Sequence, residues 1–504
     1  MAGDTYSVHG AFIRGVEAVH VTVEISMSGS IPGISIVGQA NSALLESRSR
    51  IRCALRSSGF EVPRRAVTVN LAPGDIPKNG SGFDLPIAVA ILVASGQVPD
   101  REIDRHLFVG ELSLDGSLRP VKGEVAYQVL AREMGLDLVC ARSNSHVSLQ
   151  GVRSGILDRL SDLRLGVSDA IKPGGVCLES GSSPAVALDY ADVIGQDVAK
   201  RGMAIAAAGG LGLLMIGAPG SGKSMLAKRM TTILPPLTPE VQQEALCIHS
   251  VVGEPLESLL QGNRPFRSPH HSISAAGLVG GGRPVRPGEI SLAHGGVLFL
   301  DELAEFSNTV LQQLRQPMEQ GVIRLVRAEG AYEFPASFQL LAASNPCPCG
   351  FLGDRDVACK CSDAAVERYQ AKLRGPLADR IDIVIDVARP SPELLMEGAE
   401  GLGTDELQGL VCRGRDFRAR RIARTSDVPE PSSRSSLDVA VASFSLDADA
   451  TDTMLSLSRR FHLTGRGIVR LCRIARTIAD IEESEYVKKP HVLEGSLYRG
   501  RRGE

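Results

Sequence analysis

The chain has 504 residues, enough for two to four domains at roughly 100–200 residues each. Its 43% hydrophobic content is ordinary for a globular protein, and with no Trp and only 4% aromatics the core must be filled by Leu, Val, Ile and Ala. A net charge of −3 with a pI near 6.4 excludes a protein that holds nucleic acid through basic charge spread over its whole surface, so any such contact comes from local patches.

The stretch Met1 to Tyr6 is not a basic segment leading into an apolar run, and no secretory signal is read there. The apolar runs Leu85–Val93 and Met203–Ile216 are respectively too short and Gly-interrupted to span a bilayer, so they predict core elements and no membrane partner. Ten cysteines without a small secreted disulfide pattern predict a cytoplasmic, reducing compartment.

Residues 1–170 carry β-branched runs at Val21–Ile25, Ile34–Val37 and Ala66–Leu71 and helical stretches at Ser42–Ser57 and Leu85–Ala94, which predict an α/β domain. The Gly/Ser/Pro-rich segment from Lys172 to Pro184 reads as a linker, taken as 171–188. A second block spans 189–390, closed by Pro390-Ser391-Pro392. Residues 391–504 show helical patterns at Asp405–Ala423 and Gly467–Glu483, separated by a loop at Ser426–Ser436.

The chemistry lies in the second block. The apolar run Leu211–Ile216 predicts a buried strand that feeds Gly217-Ala218-Pro219-Gly220-Ser221-Gly222-Lys223-Ser224, and a helical pattern follows. This is the GxxxxGK[ST] pattern in the context it requires, in which glycines let backbone N–H groups and a helix N-terminus face phosphates. Lys223 is expected to contact the β/γ-phosphates of ATP and Ser224 to hold Mg²⁺. Val297–Leu300 predicts a second buried strand ending in Asp301 and Glu302, where Asp301 supports Mg²⁺ and Glu302 polarises the attacking water. A third strand, Gln339–Ser344, ends in Asn345, which either orients that water or caps the turn before Pro346.

Cys347, Cys349, Cys359 and Cys361 fall in one short window as two C-x-C pairs. That density suggests a tetrahedral Zn²⁺ site, although structural zinc more often uses C-x₂₋₄-C, and free thiols in a loop are the alternative. His270 and His271 are candidate ligands, and as a His-His pair in a Gly-rich loop they are equally expected to contact phosphate or solvent. Cys53, Cys140, Cys177, Cys247, Cys412 and Cys472 have no metal-like spacing and are expected to be small buried hydrophobes.

The order of these elements resembles AAA+ ATPases, and more narrowly the magnesium-chelatase-like family that includes ComM and YifB. The resemblance rests on Arg264–His271, Arg286–Glu302, Asn345–Gly350 and Gly375–Asp382, and it runs from about residue 5 to near Arg499. It implies an α/β architecture of three modules: a Lon-protease-like (ribosomal S5 domain 2-like) N-terminal domain, a parallel-sheet AAA+ module and a C-terminal helical lid. It also implies a homo-hexameric ring.

The same resemblance implies that Asp192–Gln196 touches adenine, that Arg380 is a trans-acting arginine finger, and that Arg466 is a lid arginine sensing the γ-phosphate. The proteolytic Ser/Lys dyad of Lon does not carry over, because Gly82 and Val125 stand at those positions. Ser81 lies one position away, and the domain is expected to be a non-catalytic platform.

Two segments supply local basic charge. The stretch 262–296 holds Arg264, Arg267, Arg283 and Arg286 against Glu289 alone, and Val322–Arg327 with Ala331–Phe334 predicts a β-hairpin carrying Arg324 and Arg327. The resemblance places such insertions in a ring's pore, and they are expected to contact DNA, forked or branched. For Arg264, Arg267 and Arg286, pairing with nucleotide phosphates or a neighbouring subunit is an equal expectation. The functional readings are a branch-migration helicase or translocase in recombination or DNA uptake, a magnesium-chelatase ATPase subunit, and a protein-remodelling ATPase.

Overall fold

Alternation of buried and half-buried residues over Val21–Ile25 gives the strand Glu17–Ser28 one face in a core, where Val21, Val23 and Ile25 are fully buried. It pairs antiparallel with Tyr6–Arg14, from Tyr6↔Ile25 to Arg14↔Glu17. These two strands centre an eight-stranded mixed sheet that runs from Lys172–Gly174 at one edge to Gly33–Val37 at the other. The predicted helices appear at Ser42–Ser57 and Asp84–Ala94. The latter is apolar all round, and its first ten residues are buried.

This computed structural model describes residues 5–29, 31–37, 42–74, 78, 80, 82–143, 147–174, 188–328, 330–354, 356–373, 377, 380–391, 393, 396, 401–424 and 443–499. Ser81, Cys177, Gly375, most of the expected linker and the expected loop Ser426–Ser436 lie outside the described residues.

The second sheet is all parallel, in the order Phe266–Arg267, Val297–Leu300, Gln339–Ser344, Leu213–Ile216, Ile383–Asp386. Its strands read as continuous apolar runs because both faces are covered. One face packs on helix Asp197–Gly209 together with Leu407, Val411, Ile474 and Ile478 of the C-terminal helices. The other face packs on Ile290, Leu311, Leu314 and the hairpin residue Phe334. The C-terminal part contains helices Thr404–Arg424, Ala448–Arg460, Gly465–Ile481 and Lys489–Leu497. No described helix is long and apolar enough to cross a membrane.

The N-terminal domain is docked on the parallel-sheet module at two places. Helix Glu124–Met134 lies against helix Pro239–Val252, with Val125 in a shared apolar cluster with Leu237, Ala245 and Leu246. The Gly123 amide donates to the Ser250 carbonyl at 3.0 Å and Lys122 to the Val252 carbonyl at 2.7 Å. At the second place, the turn at Gly15 sits on Phe334, and Arg14 lies over the Tyr332 ring at 5.5 Å. Val125 therefore serves a domain interface, with its side chain buried among apolar groups.

Candidate nucleotide-binding site

The strand Leu213–Ile216 is the fourth of five in a parallel sheet and opens at its carboxyl end into the glycine loop, the place where such sheets bind ligands. Gly217 has no room for a side chain, since a β-carbon there would lie 2.2 Å from the Val387 carbonyl oxygen. Gly220 and Gly222 take φ of 79° and 92°, the left-handed region open to glycine, and Gly222 caps helix Lys223–Lys228. Lys223 is buried, and its Nζ donates to the carbonyls of Gly217 and Ala218 at 2.7 and 2.9 Å and to Asn345 Oδ1 at 3.3 Å. Burial pulls its ammonium below the ordinary range, with Asp301 and Glu302 opposing and Arg389 reinforcing the shift.

Asp301 and Glu302 follow the strand Val297–Leu300, one strand removed across the sheet. Ser224 Oγ donates to Asp301 Oδ2 at 2.8 Å, so the hydroxyl and carboxylate expected at the metal already face each other. Glu302 is half-exposed and held at φ 53°, a left-handed conformation in which a non-glycine residue is strained at a cost on the order of 1–3 kcal/mol. Its Oε2 lies 3.5 Å from His271 Nδ1. Nothing in the sequence places His271 beside Glu302 beyond a His-His pair in a Gly-rich loop.

The segment expected to touch adenine is also at this end. Gln196 donates to the Ser221 carbonyl at 3.4 Å, and Asp192 pairs with Arg229 at 2.8 Å. Arg389, which the sequence did not single out, donates to the Pro219 carbonyl at 2.9 and 3.1 Å from a position just past the strand Ile383–Asp386.

The expected arginine pair lies elsewhere. The Arg380 carbonyl crowds Gly212, and the Asp382 and Ile383 amides donate to the Gly212 carbonyl, which puts Arg380 at the amino-terminal edge of the sheet. The five residue steps from Gly212 to Gly217 set this edge roughly 16 Å from the glycine loop, at about 3.3 Å each. Arg380 pairs with Glu319, and burial, followed by the nearby Arg466, Arg315 and Arg470, pulls its guanidinium down from its ordinary range. Arg466 thus stands with Arg380, while one turn further Arg470 donates to the Ile381 carbonyl at 3.4 Å. Within one chain the structure does not bring Arg466 to Lys223.

Among the described residues the only group of three or more potential ligands suited to a metal is Cys347, Cys349, Cys359 and Cys361, whose sulfurs all lie within 4.8 Å of one another. His270 and His271 are not part of it; they stack on each other at 4.0 Å. Of the other described cysteines, only Cys140 and Cys472 are buried. Cys53 is exposed on the helix Ser42–Ser57, and Cys247 and Cys412 are half-buried, which corrects the expectation for these three.

The expected basic loop is partly structural. Arg264 donates to the Pro235, Pro236 and Gly295 carbonyls, and burial lowers its pKa. Arg267 pairs with Glu289 at 2.7 Å and Glu254 at 2.8 Å. Neither is placed to meet DNA, because both are already committed to their own chain. Arg283 and Arg286 are exposed on a small hairpin, Gly280–Gly281 with Arg286–Pro287. Arg324 and Arg327 are exposed on the predicted hairpin, seen as Val322–Arg327 paired with Gly330–Pro335.

Comparison with known proteins decides the family. The model of magnesium chelatase, subunit ChlI, matches residues 189–395, that of subunit ChlI of Mg-chelatase matches 23–144, and that of the ChlI C-terminal region matches 401–499. YifB of Escherichia coli is 39% identical over 506 positions, covering 98% of this chain and 96% of that protein. Competence protein ComM of Haemophilus influenzae is 38% identical over 504 positions, covering 98% and 97%. The chain belongs to the ComM/YifB family of magnesium-chelatase-like ATPases. The magnesium-chelatase 67 kDa subunit of Chlorobaculum tepidum is 32% identical over 162 residues, only 31% of this chain. In this ComM/YifB-family chain the glycine loop, Asp301, Glu302, Asn345, Arg380 and the cysteine cluster fall in the 189–395 match, and Arg466 falls in the 401–499 match.

Proposed function

We propose that this chain binds MgATP, hydrolyses it in a homo-hexameric ring, and uses the cycle to move forked or branched DNA. The residues fit MgATP: Gly217 lets the loop pass close against the Val387 carbonyl, Gly220 and Gly222 take the left-handed turn that opens a helix N-terminus, and Ser224 faces Asp301 at 2.8 Å. Ser224 and Asp301 would hold Mg²⁺, which neutralises phosphate charge when bound. Lys223 releases its loop carbonyls and binds the β/γ-phosphates. Glu302 takes up the proton of the attacking water, and Asn345, within reach of Lys223, orients that water. Arg380 and Arg466 act on the nucleotide of a neighbouring subunit, since both sit at the far edge of their own sheet. We read the four-cysteine cluster as a Zn²⁺ site.

One observation carries the DNA assignment: the two arginine-bearing hairpins lie side by side. A β-carbon at Gly281 would stand 3.4 Å from Arg327 Nη2, so Arg327 lies against the hairpin that carries the exposed Arg283 and Arg286, and Arg324 is exposed on the same strand as Arg327, on a chain of net charge −3. Arg324 pairs with Glu333 at 2.8 Å, but an exposed pair is worth about 0–1 kcal/mol and yields readily to a phosphate. The match to the competence protein ComM over nearly the whole chain supports the same reading.

The family models' chelatase names favour a second reading, a chelatase-type ATPase subunit, but the chelatase relative covers under a third of the chain. The test is ATP turnover with four-way DNA, an unfolded protein, or a porphyrin-chelating partner. Stimulation by four-way DNA, with binding that weakens steeply with salt, is expected. Stimulation by one of the other two alone would replace the DNA assignment.

A further inference from the structure

The four cysteines sit immediately beyond Asn345, and the turn they enclose lies on the glycine loop. Cys347 Sγ is 3.4 Å from Cys349 Sγ and 3.7 Å from Cys359 Sγ, and Cys349 Sγ is 3.6 Å from Cys359 Sγ. A tetrahedron of sulfurs around Zn²⁺, with Zn–S bonds of about 2.3 Å, has edges of about 3.8 Å. The three spacings among Cys347, Cys349 and Cys359 match such edges, Cys361 Sγ lies within 4.8 Å of all three, and all four thiols are unpaired by disulfides. Backbone amides point at the sulfurs as they do toward thiolates: Cys349 N donates to Cys361 Sγ at 3.4 Å and Cys361 N to Cys359 Sγ at 3.5 Å.

The enclosed turn is fitted to the nucleotide site. Gly350 has φ 86°, and a β-carbon there would lie 2.6 Å from Pro219 Cδ of the glycine loop. Its amide donates to the Cys347 carbonyl at 2.9 Å, closing the turn. The next residue, Phe351, carries the Arg389 guanidinium over its ring at 5.6 Å, and that guanidinium holds the Pro219 carbonyl. On the other side, Asn345 reaches Lys223 at 3.3 Å.

We propose that a Zn²⁺ bound by Cys347, Cys349, Cys359 and Cys361 is the clasp that holds Asn345 and the Gly350 turn against the glycine loop, so that loss of the metal loosens the ATP site. This rests on the zinc and ATPase readings above. The cysteines are positioning residues that touch neither nucleotide nor water. Without the metal, only weak contacts to sulfur, such as Cys349 N to Cys361 Sγ at 3.4 Å, tie the first cysteine pair to the second, ten or more residues on, and a displacement of about 1 Å at a reacting group can cost about 100-fold in rate.

The test uses the full chain. Elemental analysis should give about one Zn²⁺ per chain, lost in the double variant Cys359→Ser/Cys361→Ser, and Co²⁺ in its place should show the visible bands of a tetrahedral thiolate site. Stripping the zinc with a selective chelator, with Mg²⁺ in excess, should speed amide exchange over Gly217–Ser224 and Asn345–Gly350 by about tenfold or more. It should also lower kcat about tenfold or more with little change in KM. Re-adding Zn²⁺ should restore both in the same molecules, which excludes misfolding as the cause. Gly350→Ala should keep the zinc and lose kcat. No metal and no Co²⁺ bands would overturn the zinc reading and the clasp together. Zinc present, but amide exchange unchanged on stripping, would overturn the clasp alone. Loaded protein without any turnover would sink the ATPase reading, and the exchange measurement would still decide the clasp.

Discussion

The two ends of the five-stranded sheet are built on opposite principles. At the carboxyl end, the polar groups of the glycine loop answer one another within the chain: Lys223 on loop carbonyls, Ser224 on Asp301, Arg389 on Pro219. At the amino end, Arg380 stands among Arg315, Arg466 and Arg470, with Glu319 its ion-pair partner and Asp382 beside it. Like charges gathered at a partly exposed edge repel one another and gain if an anion arrives. One end thus has the shape of a phosphate receptor and the other the charge of a phosphate ligand, an arrangement that makes sense if the second end serves the first end of another subunit.

The largest expected effect lies at the amino end. Arg380→Ala should still bind ATP and form rings yet lose about 10³–10⁵ in turnover, as measured by steady-state hydrolysis. At the carboxyl end, Glu302→Gln should retain nucleotide binding and lose about 10²–10⁴ in kcat, because an amide cannot take up the water's proton. Wild-type turnover in Glu302→Gln would break the assignment of roles at that end. Arg324→Ala with Arg327→Ala touches neither end and should leave basal hydrolysis intact. It should abolish stimulation by four-way DNA and lower the salt dependence of DNA binding by about two counterions, as read from a salt titration. The smallest functional effect is expected for Arg267→Ala, which leaves Glu254 and Glu289 without their cation. It should cost about 1–3 kcal/mol of stability in a denaturant titration and leave the salt slope of DNA binding unchanged.

What could be read from the sequence depended on how local the partners are. The glycine loop is a contiguous strand, turn and helix, so eight adjacent residues carry the whole signal, and the structure puts them at the edge their pattern predicts. The hairpin Val322–Arg327 with Gly330–Pro335 was legible for the same reason. Arg264 and Arg267 were not, because the groups that claim them are 13 to 31 residues away and include backbone carbonyls that no side-chain pattern records. Cys53 was misplaced because composition alone favours burial of cysteine, whereas its position on the helix Ser42–Ser57 turns it outward. The company of Arg466 and Arg380 joins residues 86 positions apart in sequence and depends on how the helix Gly465–Ile481 crosses the sheet edge.

The claim that a working ATP site is completed by two subunits is tested most directly by mixing. Arg380→Ala and Lys223→Ala proteins are each expected to be nearly inactive alone, the first lacking the arginine it lends and the second lacking the lysine that grips its own nucleotide. Co-assembled at equal amounts, they should regain turnover, because an Arg380→Ala subunit with an intact glycine loop then receives Arg380 from its Lys223→Ala neighbour. Recovered hydrolysis that rises with the proportion of mixed interfaces is the predicted result. Mixed rings as inactive as either parent, or an Arg380→Ala protein that is fully active alone, would contradict it.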